Sequence, residues 1–205
     1  MGSGTSVADL PRMTTQHPVV VGFDFSRTGE AALDRAVKLA GRAPEHVLHV
    51  VCVIDPKHAL PAIPASGEID YLYAAQLQES LAAVVHAALE RANVTSRVSF
   101  FVHARINKNS AEEILEVARE LGAELIIVGS HGLTGLERLV LGSTSEKIVR
   151  EAHCTVEVAR PTTYPEAQMM DVVEVAAHDH TYVPPHRYEY EDHRVMLRPN
   201  DWPLW

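Results

Sequence analysis

Leu125-Ile126-Ile127-Val128-Gly129-Ser130-His131-Gly132 is the stretch that decides the fold of this 205-residue chain. Its four apolar residues run without interruption, which is typical of a strand covered on both faces. Glycines follow at once, and glycine adopts positive φ and lets the backbone approach a ligand closely. Nine residues later, Gly142-Ser143 precedes the next helical pattern, whose free N–H groups favour an anion. The stretch predicts a strand, a loop that holds phosphates, and a helix.

A purely structural turn is the alternative interpretation of the same residues. Ser143-Thr144-Ser145-Glu146 fits a capping box, in which Ser143 caps the helix, and both roles can coexist in one turn. The spacing excludes two other classes of phosphate loop. A P-loop needs Gly-Lys-Ser/Thr, and no lysine stands beside Gly142. A dinucleotide fingerprint needs Gly-x-Gly-x-x-Gly after a strand, and that pattern is missing.

Strand and helix patterns alternate on either side of this stretch. Strands are expected at 19–23, 47–54, 98–102, 125–128 and 155–159, and helices ending near 41 and spanning about 68–92, 110–121 and 143–152. Ser110 is expected to cap the third helix in a capping box, after a turn at 103–110. The alternation predicts an α/β fold, an open parallel sheet with helices on both faces. The half-polar last strand indicates a sheet edge.

Composition narrows the class of protein. A net charge of -9 argues against non-specific nucleic-acid binding, and no apolar run is long enough to span a membrane. Residues 1–16 have no hydrophobic core segment and are expected to form a flexible lead. Cys52 and Cys154 fall in apparent strands, where a free thiol behaves as a small apolar group. We therefore expect a cytoplasmic protein.

The glycine stretch with Gly142-Ser143 resembles the ATP-binding signature of the universal stress protein family. Similarly, Val21-Gly22-Phe23-Asp24-Phe25-Ser26 resembles the family's first strand and its acidic turn, and Leu48-His49-Val50 resembles its second strand. The resemblance covers about residues 17–160. The resemblance implies a Rossmann-like, five-stranded sheet in the order 3-2-1-4-5, with Asp24 facing the glycine loop where the strand order reverses. It also implies that Cys52 and Cys154 are too far apart for a disulfide. A homodimer through strand 154–160, or through the C-terminal extension, is expected.

The resemblance also implies a set of nucleotide-binding residues: Phe23, Asp24, Val50, Gly129, His131, Gly132, Gly142, Ser143 and Thr144. Asp24 would accept hydrogen bonds from the ribose or help to hold Mg²⁺; the other interpretation is an Asx turn or helix cap leading to Ser26. Val50 would contact adenine through its backbone. His131 is a candidate acid or phosphate donor, or a residue that only shapes the turn. No catalytic set and no metal site are predicted, and the expected cofactor is ATP, with or without Mg²⁺.

Residues 161–205 form an acidic extension with six aromatic and four histidine residues. The aromatic content favours docking on the chain's own domain or on a dimer mate over a floppy tail. His178-Asp179-His180 is a candidate metal cluster, and solvated histidines are the alternative. For the whole chain we expect a nucleotide-dependent stress-response regulator or sensor with slow or no hydrolysis. A nucleotide-independent interaction scaffold and an adenine-nucleotide-dependent enzyme are the competing functions.

Overall fold

A computed structural model describes residues 16–65, 68–132, 141–161, 190–191 and 194–195. Strands and helices alternate through the first part of the chain. The elements are β1 His17–Gly22, α1 Arg27–Arg42, β2 His46–Ile54, α2 Tyr71–Arg91, β3 Ser99–Ile106, α3 Ser110–Leu121, β4 Leu125–Gly129, α4 Ser143–Glu151 and β5 Thr155–Ala159. The predicted lead, apart from residue 16, and most of the predicted extension lie outside the described residues.

The five strands form one parallel sheet in the order β3-β2-β1-β4-β5, which confirms the expected fold and strand order. β1 lies at the centre, paired with β2 on one side and with β4 on the other. The order therefore reverses between β1 and β4, and the carboxyl ends of these two strands border a crevice in which such sheets bind ligands. β5 is an edge strand, as its half-polar sequence predicted.

Helices cover both faces of the sheet because alternate strand residues point to opposite sides. On one face, buried residues of α1 and α2, such as Leu33 and Leu77, pack on Val21 and Val50. On the other face, buried residues of α3 and α4 pack on the alternate strand positions; they include Ile114, Leu115, Ile148, Val20, Val51 and Val128. The sheet thus separates two apolar cores.

The third strand is longer than predicted. Residues 103–106 were expected to form a turn, but β3 continues through them to Ile106. The reason is pairing: β2 extends to Ile54, and its residues from Val51 onward are in register with His103–Ile106. Backbone groups of a long inner strand need partners, and the polar residues of β3 supply them through their main chain. The connection to α3 shrinks accordingly to residues 107–109.

Two predicted helix caps are wrong, because in each helix the N-cap is the residue before the predicted one. Asn109, rather than Ser110, caps α3, and its side chain accepts a hydrogen bond from the Glu112 N–H. The N-cap of α4 is Gly142, with no side-chain cap, so Ser143 is the first helical residue. The expected α2 also starts later, at Tyr71, with Asp70 as its cap.

Chain contacts divide the protein into two units, Met1–Thr162 and Thr163–Trp205. In the second unit, β6 Tyr190–Glu191 and β7 Arg194–Val195 form an antiparallel pair. The docking and metal-cluster predictions for the extension concern residues outside the described ones. Cys52 and Cys154 are both free thiols, and Cys154 precedes β5 rather than lying within it. Among the described residues, no helix is long and apolar enough to cross a membrane.

Candidate functional site

A cavity opens at the carboxyl ends of β1 and β4, where the strand order reverses. Strand ends form its floor, α3 forms one wall, and the start of α4 and the glycine loop form the rim. The lining residues are Gly22, Phe23, Asp24, Gly29, Val51, Val53, Ser110, Ile114, Val128, Gly129, His131, Gly132, Thr144 and Ser145. The cavity thus combines an apolar side with a polar side of hydroxyls, glycine backbone and one carboxylate.

Asp24 follows β1 in a tight turn that leads into α1. Its Oδ1 accepts a hydrogen bond from the Ser26 N–H at 3.0 Å, which is an Asx turn. Ser26 in turn caps α1, because its Oγ accepts from the Gly29 N–H at 3.0 Å. The interpretation of Asp24 as an Asx turn therefore holds for its Oδ1. The second oxygen, Oδ2, borders the glycine loop: a Cβ built on Gly132 would lie 3.0 Å from it.

The described ends of the glycine loop leave no room for a side chain at Gly129 and only tight space at Gly142. A Cβ on Gly129 would lie 2.6 Å from the carbonyl carbon of Thr28. A Cβ on Gly142 would lie 3.3 Å from the Ser130 oxygen, and the Gly142 N–H donates to that same oxygen at 2.7 Å. Such close backbone approach explains why glycine stands at these positions. The two described ends of the loop are therefore joined by a backbone hydrogen bond beside the cavity.

The first turn of α4 faces the cavity without a side-chain cap. Thr144 and Ser145 line the cavity, and Ser143 lies on the exposed side. Ser145 is buried and donates to the Gly129 carbonyl at 2.6 Å, which fixes the helix start to the end of β4. Backbone N–H groups of a helix start that no side chain caps favour an anion nearby.

The structure brings six of the nine predicted nucleotide residues into the cavity lining: Phe23, Asp24, Gly129, His131, Gly132 and Thr144. Gly142 and Ser143 lie immediately beside it, at the start of α4. Val50 is not among the lining residues, and its side chain is buried in the core on the other face of the sheet. The expected contact through its backbone stays a prediction. Its neighbours Val51 and Val53 line the cavity instead.

Sequence reasoning missed two wall residues on α3. Ser110 and Ile114 both line the cavity, and they are four residues apart, so they share one face of the helix. That spacing was visible in the sequence, but it pointed to the cavity only once α3 was known to lie over β1 and β2. With Val51 and Val53, Ile114 gives the cavity its apolar side.

The charge of Asp24 also acts below the cavity. Burial, and secondarily the Asp24 carboxylate, raises the pKa of the Cys52 thiol to about 12. Cys52 is therefore a protonated core residue and no nucleophile. His131 makes a side-chain hydrogen bond through Nδ1 with Ser130 Oγ at 3.0 Å. Within the part of the chain that the structure describes, no group of three or more His, Cys, Asp or Glu side chains could hold a metal ion.

Comparison with known proteins agrees with this geometry. A sequence model of the universal stress protein family matches residues 16–160. The chain belongs to the universal stress protein family. The match includes the Asp24 turn and both ends of the glycine loop, the features that define the cavity.

Individual family members are similar over the same region. A protein of Staphylococcus haemolyticus that carries the family's name is 33% identical over 163 residues, or 75% of this chain and 90% of the relative. A universal stress protein of Methanocaldococcus jannaschii is 31% identical over 144 residues, or 69% of this chain and 81% of the relative. The solved structure of the universal stress protein UspA from Lactobacillus plantarum superimposes with a TM-score of 0.50 at 24% identity, covering 70% of this chain and 97% of that one. It supports the fold.

Proposed function

We propose that this universal stress protein binds an adenine nucleotide, ATP with or without Mg²⁺, and acts as a nucleotide-dependent regulator or sensor of a stress response. One observation carries the proposal: Asp24 and the glycine loop, which come from distant parts of the sequence, border the same cavity at the switch point of the sheet. A carboxylate beside a glycine-rich backbone loop is a pairing that suits a ribose and its phosphates.

The two sides of the cavity suggest how a nucleotide would lie. The phosphates would bind at the loop ends, Gly129–Gly132 and Gly142, and at the first turn of α4 with Ser143 and Thr144. The second oxygen of Asp24 would accept from a ribose hydroxyl or help to hold Mg²⁺. We place adenine against the apolar side, beside Val51, Val53 and Ile114, with the backbone of Val50 as the predicted further contact.

Hydrolysis would be slow or absent in this proposal. Fast cleavage needs a group that activates or positions water. His131 is the titratable base in the lining besides Asp24, and its Nδ1 is engaged with Ser130. When bound, Mg²⁺ would neutralise charge on the phosphates. A state that persists after binding suits a sensor better than a catalyst.

Cytoplasmic location is part of the proposal. The two cysteines are free thiols, and a chain that keeps its cysteines unpaired fits a reducing compartment. Cys52 is fully buried, so its reduced state also serves the core as an apolar residue.

The test is a titration of the purified full chain with ATP, ADP and AMP, with and without Mg²⁺, by calorimetry. Asp24→Asn keeps an oxygen for the Ser26 N–H and removes the charge, so the turn is retained. We expect it to weaken ATP binding by about tenfold, which corresponds to about 1.4 kcal/mol. Gly142→Val places a side chain against Ser130 and His131, and we expect it to abolish binding.

Asp34→Asn is the matched control for the charge change. Asp34 lies on α1, away from the cavity lining, and forms an ion pair with Arg91 at 3.0 Å. We expect wild-type affinity in this variant. No binding by the wild type would contradict the proposal and favour the interaction scaffold, whereas rapid turnover would favour an enzyme.

A further inference from the structure

Thr28, in the first turn of α1, touches the glycine loop through its hydroxyl. Thr28 Oγ1 donates a hydrogen bond to the carbonyl oxygen of His131, and the His131 N–H approaches the same hydroxyl at 3.4 Å. Ser26 Oγ lies 3.3 Å from Thr28 Oγ1. Because the single hydroxyl hydrogen of Thr28 points to His131, Ser26 is the donor in this last contact. One hydroxyl therefore joins α1 to the loop by two hydrogen bonds, both with the backbone of His131.

The packing around the loop makes this contact specific. Gly129 lies so close to α1 that a Cβ there would come 2.6 Å from Thr28 Oγ1. On the opposite side, the loop is held by α4, through the Ser145 hydroxyl on the Gly129 carbonyl. α4 thus holds the loop at Gly129, and Thr28 holds it at His131.

A chain of hydrogen bonds connects the two halves of the site. Asp24 Oδ1 accepts from the Ser26 N–H, Ser26 Oγ donates to Thr28 Oγ1, and Thr28 donates to His131. Two hydroxyl groups therefore link the Asp24 carboxylate to the loop. Valine at residue 28 would have nearly the same shape and would leave the His131 backbone groups without this partner.

We propose that Thr28 is a positioning residue of the nucleotide site, whose hydroxyl holds the phosphate loop at its distance from Asp24. The inference rests on the proposed function and adds a residue that touches no nucleotide. A loop that is fixed before the ligand arrives binds more tightly, because less ordering accompanies binding. The effect should therefore be large for ATP and small for adenosine, which has no phosphate for the loop to hold.

The test compares Thr28→Val, which removes the hydroxyl, with Thr28→Ser, which keeps it. Calorimetry with ATP and with adenosine gives two dissociation constants for each variant. We expect Thr28→Val to raise the ATP constant by about tenfold and to change the adenosine constant by less than about threefold. Thr28→Ser should stay close to the wild type for both ligands. Thr95→Val, on an exposed residue between α2 and β3, is the matched control and should change neither.

A second measurement decides the inference without any nucleotide. Amide hydrogen exchange at His131 should be faster in Thr28→Val than in the wild type, and unchanged in Thr28→Ser. Equal exchange in all three proteins would overturn the positioning role, as would an equal loss of ATP and adenosine affinity in Thr28→Val. If the wild type binds no nucleotide, the proposed function fails, and the exchange data still decide whether Thr28 holds the loop.

Discussion

His49 occupies an unusual place for an imidazole, on the inner strand β2 with 7% of its surface exposed. Its Nδ1 lies 3.1 Å from His103 Nε2 on β3, and its ring stacks on Phe101 with centroids 4.9 Å apart. Burial, and secondarily His103, lowers the pKa of His49 to about 4. Burial, and secondarily Arg105, lowers the pKa of His103 as well. At neutral pH the two rings are uncharged and share one hydrogen bond.

This pair should make the fold sensitive to acid. In the unfolded chain His49 takes up its proton near the ordinary histidine pKa of 6.5, but in the folded protein only near pH 4. The contribution of His49 to the free energy of unfolding is therefore fully present above about pH 6.5. It falls as the pH drops toward 4 and is constant below that pH. The difference amounts to at most about 3 kcal/mol. Urea unfolding at a series of pH values measures it.

The control variants separate His49 from the other acid-sensitive groups. His49→Gln does not titrate, so its stability should fall less steeply between pH 6.5 and 4 than that of the wild type. His153→Gln changes an exposed histidine between α4 and β5 and should keep the wild-type slope. Parallel curves for wild type and His49→Gln would show that burial of His49 does not shape the acid response.

At the scale of elements, the start of α3 offers a direct test of the corrected cap. Asn109 accepts from the Glu112 N–H at 3.3 Å, whereas Ser110 is already helical. Asn109→Ala should lower the free energy of unfolding by about 1 kcal/mol, the usual value of an N-cap. Ser110→Ala should change it by no more than a few tenths of that, since alanine suits a first helical position. Chemical denaturation measures both, and the reverse order would restore Ser110 as the cap.

The centres of the strands could be predicted from the sequence, and their ends could not. Apolar runs such as 125–128 predict a buried strand from the local sequence alone, without knowledge of the strands that pair with it. β3 differs, because His103, Arg105 and Ile106 form a strand only through their pairing with β2. Pairing is a contact between distant segments, and no local pattern encodes it. The cap of α3 was predicted wrongly because Asn109 and Ser110 are adjacent and both are suitable capping residues, so the local sequence does not choose between them.

The candidate site divides in the same way. The glycine loop and the Asp24 turn were predictable, because local chain geometry demands their residue types. The floor of the cavity depends on the register of β2 against β1. A register shift of one residue would move every side chain of β2 to the other face of the sheet. Gly22 is in register with Val51, so Val51 and Val53 point to the cavity, while Val50 points to the opposite core.

At the scale of the whole molecule, the edge strand β5 bears on the homodimer that was expected. Among the described residues, β5 pairs with β4 alone, so no described strand lies along its other edge. Glu157 is a charged residue on this edge strand, and it forms an ion pair with Arg35 of α1 at 2.5 Å. Its charge is thus neutralised within the same chain. We propose a homodimer in which the β5 strands of two chains pair edge to edge.

Proline at Val158 tests this assembly with little disturbance to the fold. The Ala159 carbonyl accepts from the Ser130 N–H, so the backbone groups of Ala159 face β4. Alternate residues of a parallel strand face opposite neighbours, and the N–H of Val158 therefore points to the open edge. Proline lacks this N–H and is tolerated on edge strands. We expect wild-type protein to elute as a dimer in light-scattering chromatography, Val158→Pro as a monomer, and Val158→Thr, which keeps the N–H, as a dimer. A dimer that survives Val158→Pro with an intact circular dichroism spectrum would have to use another surface.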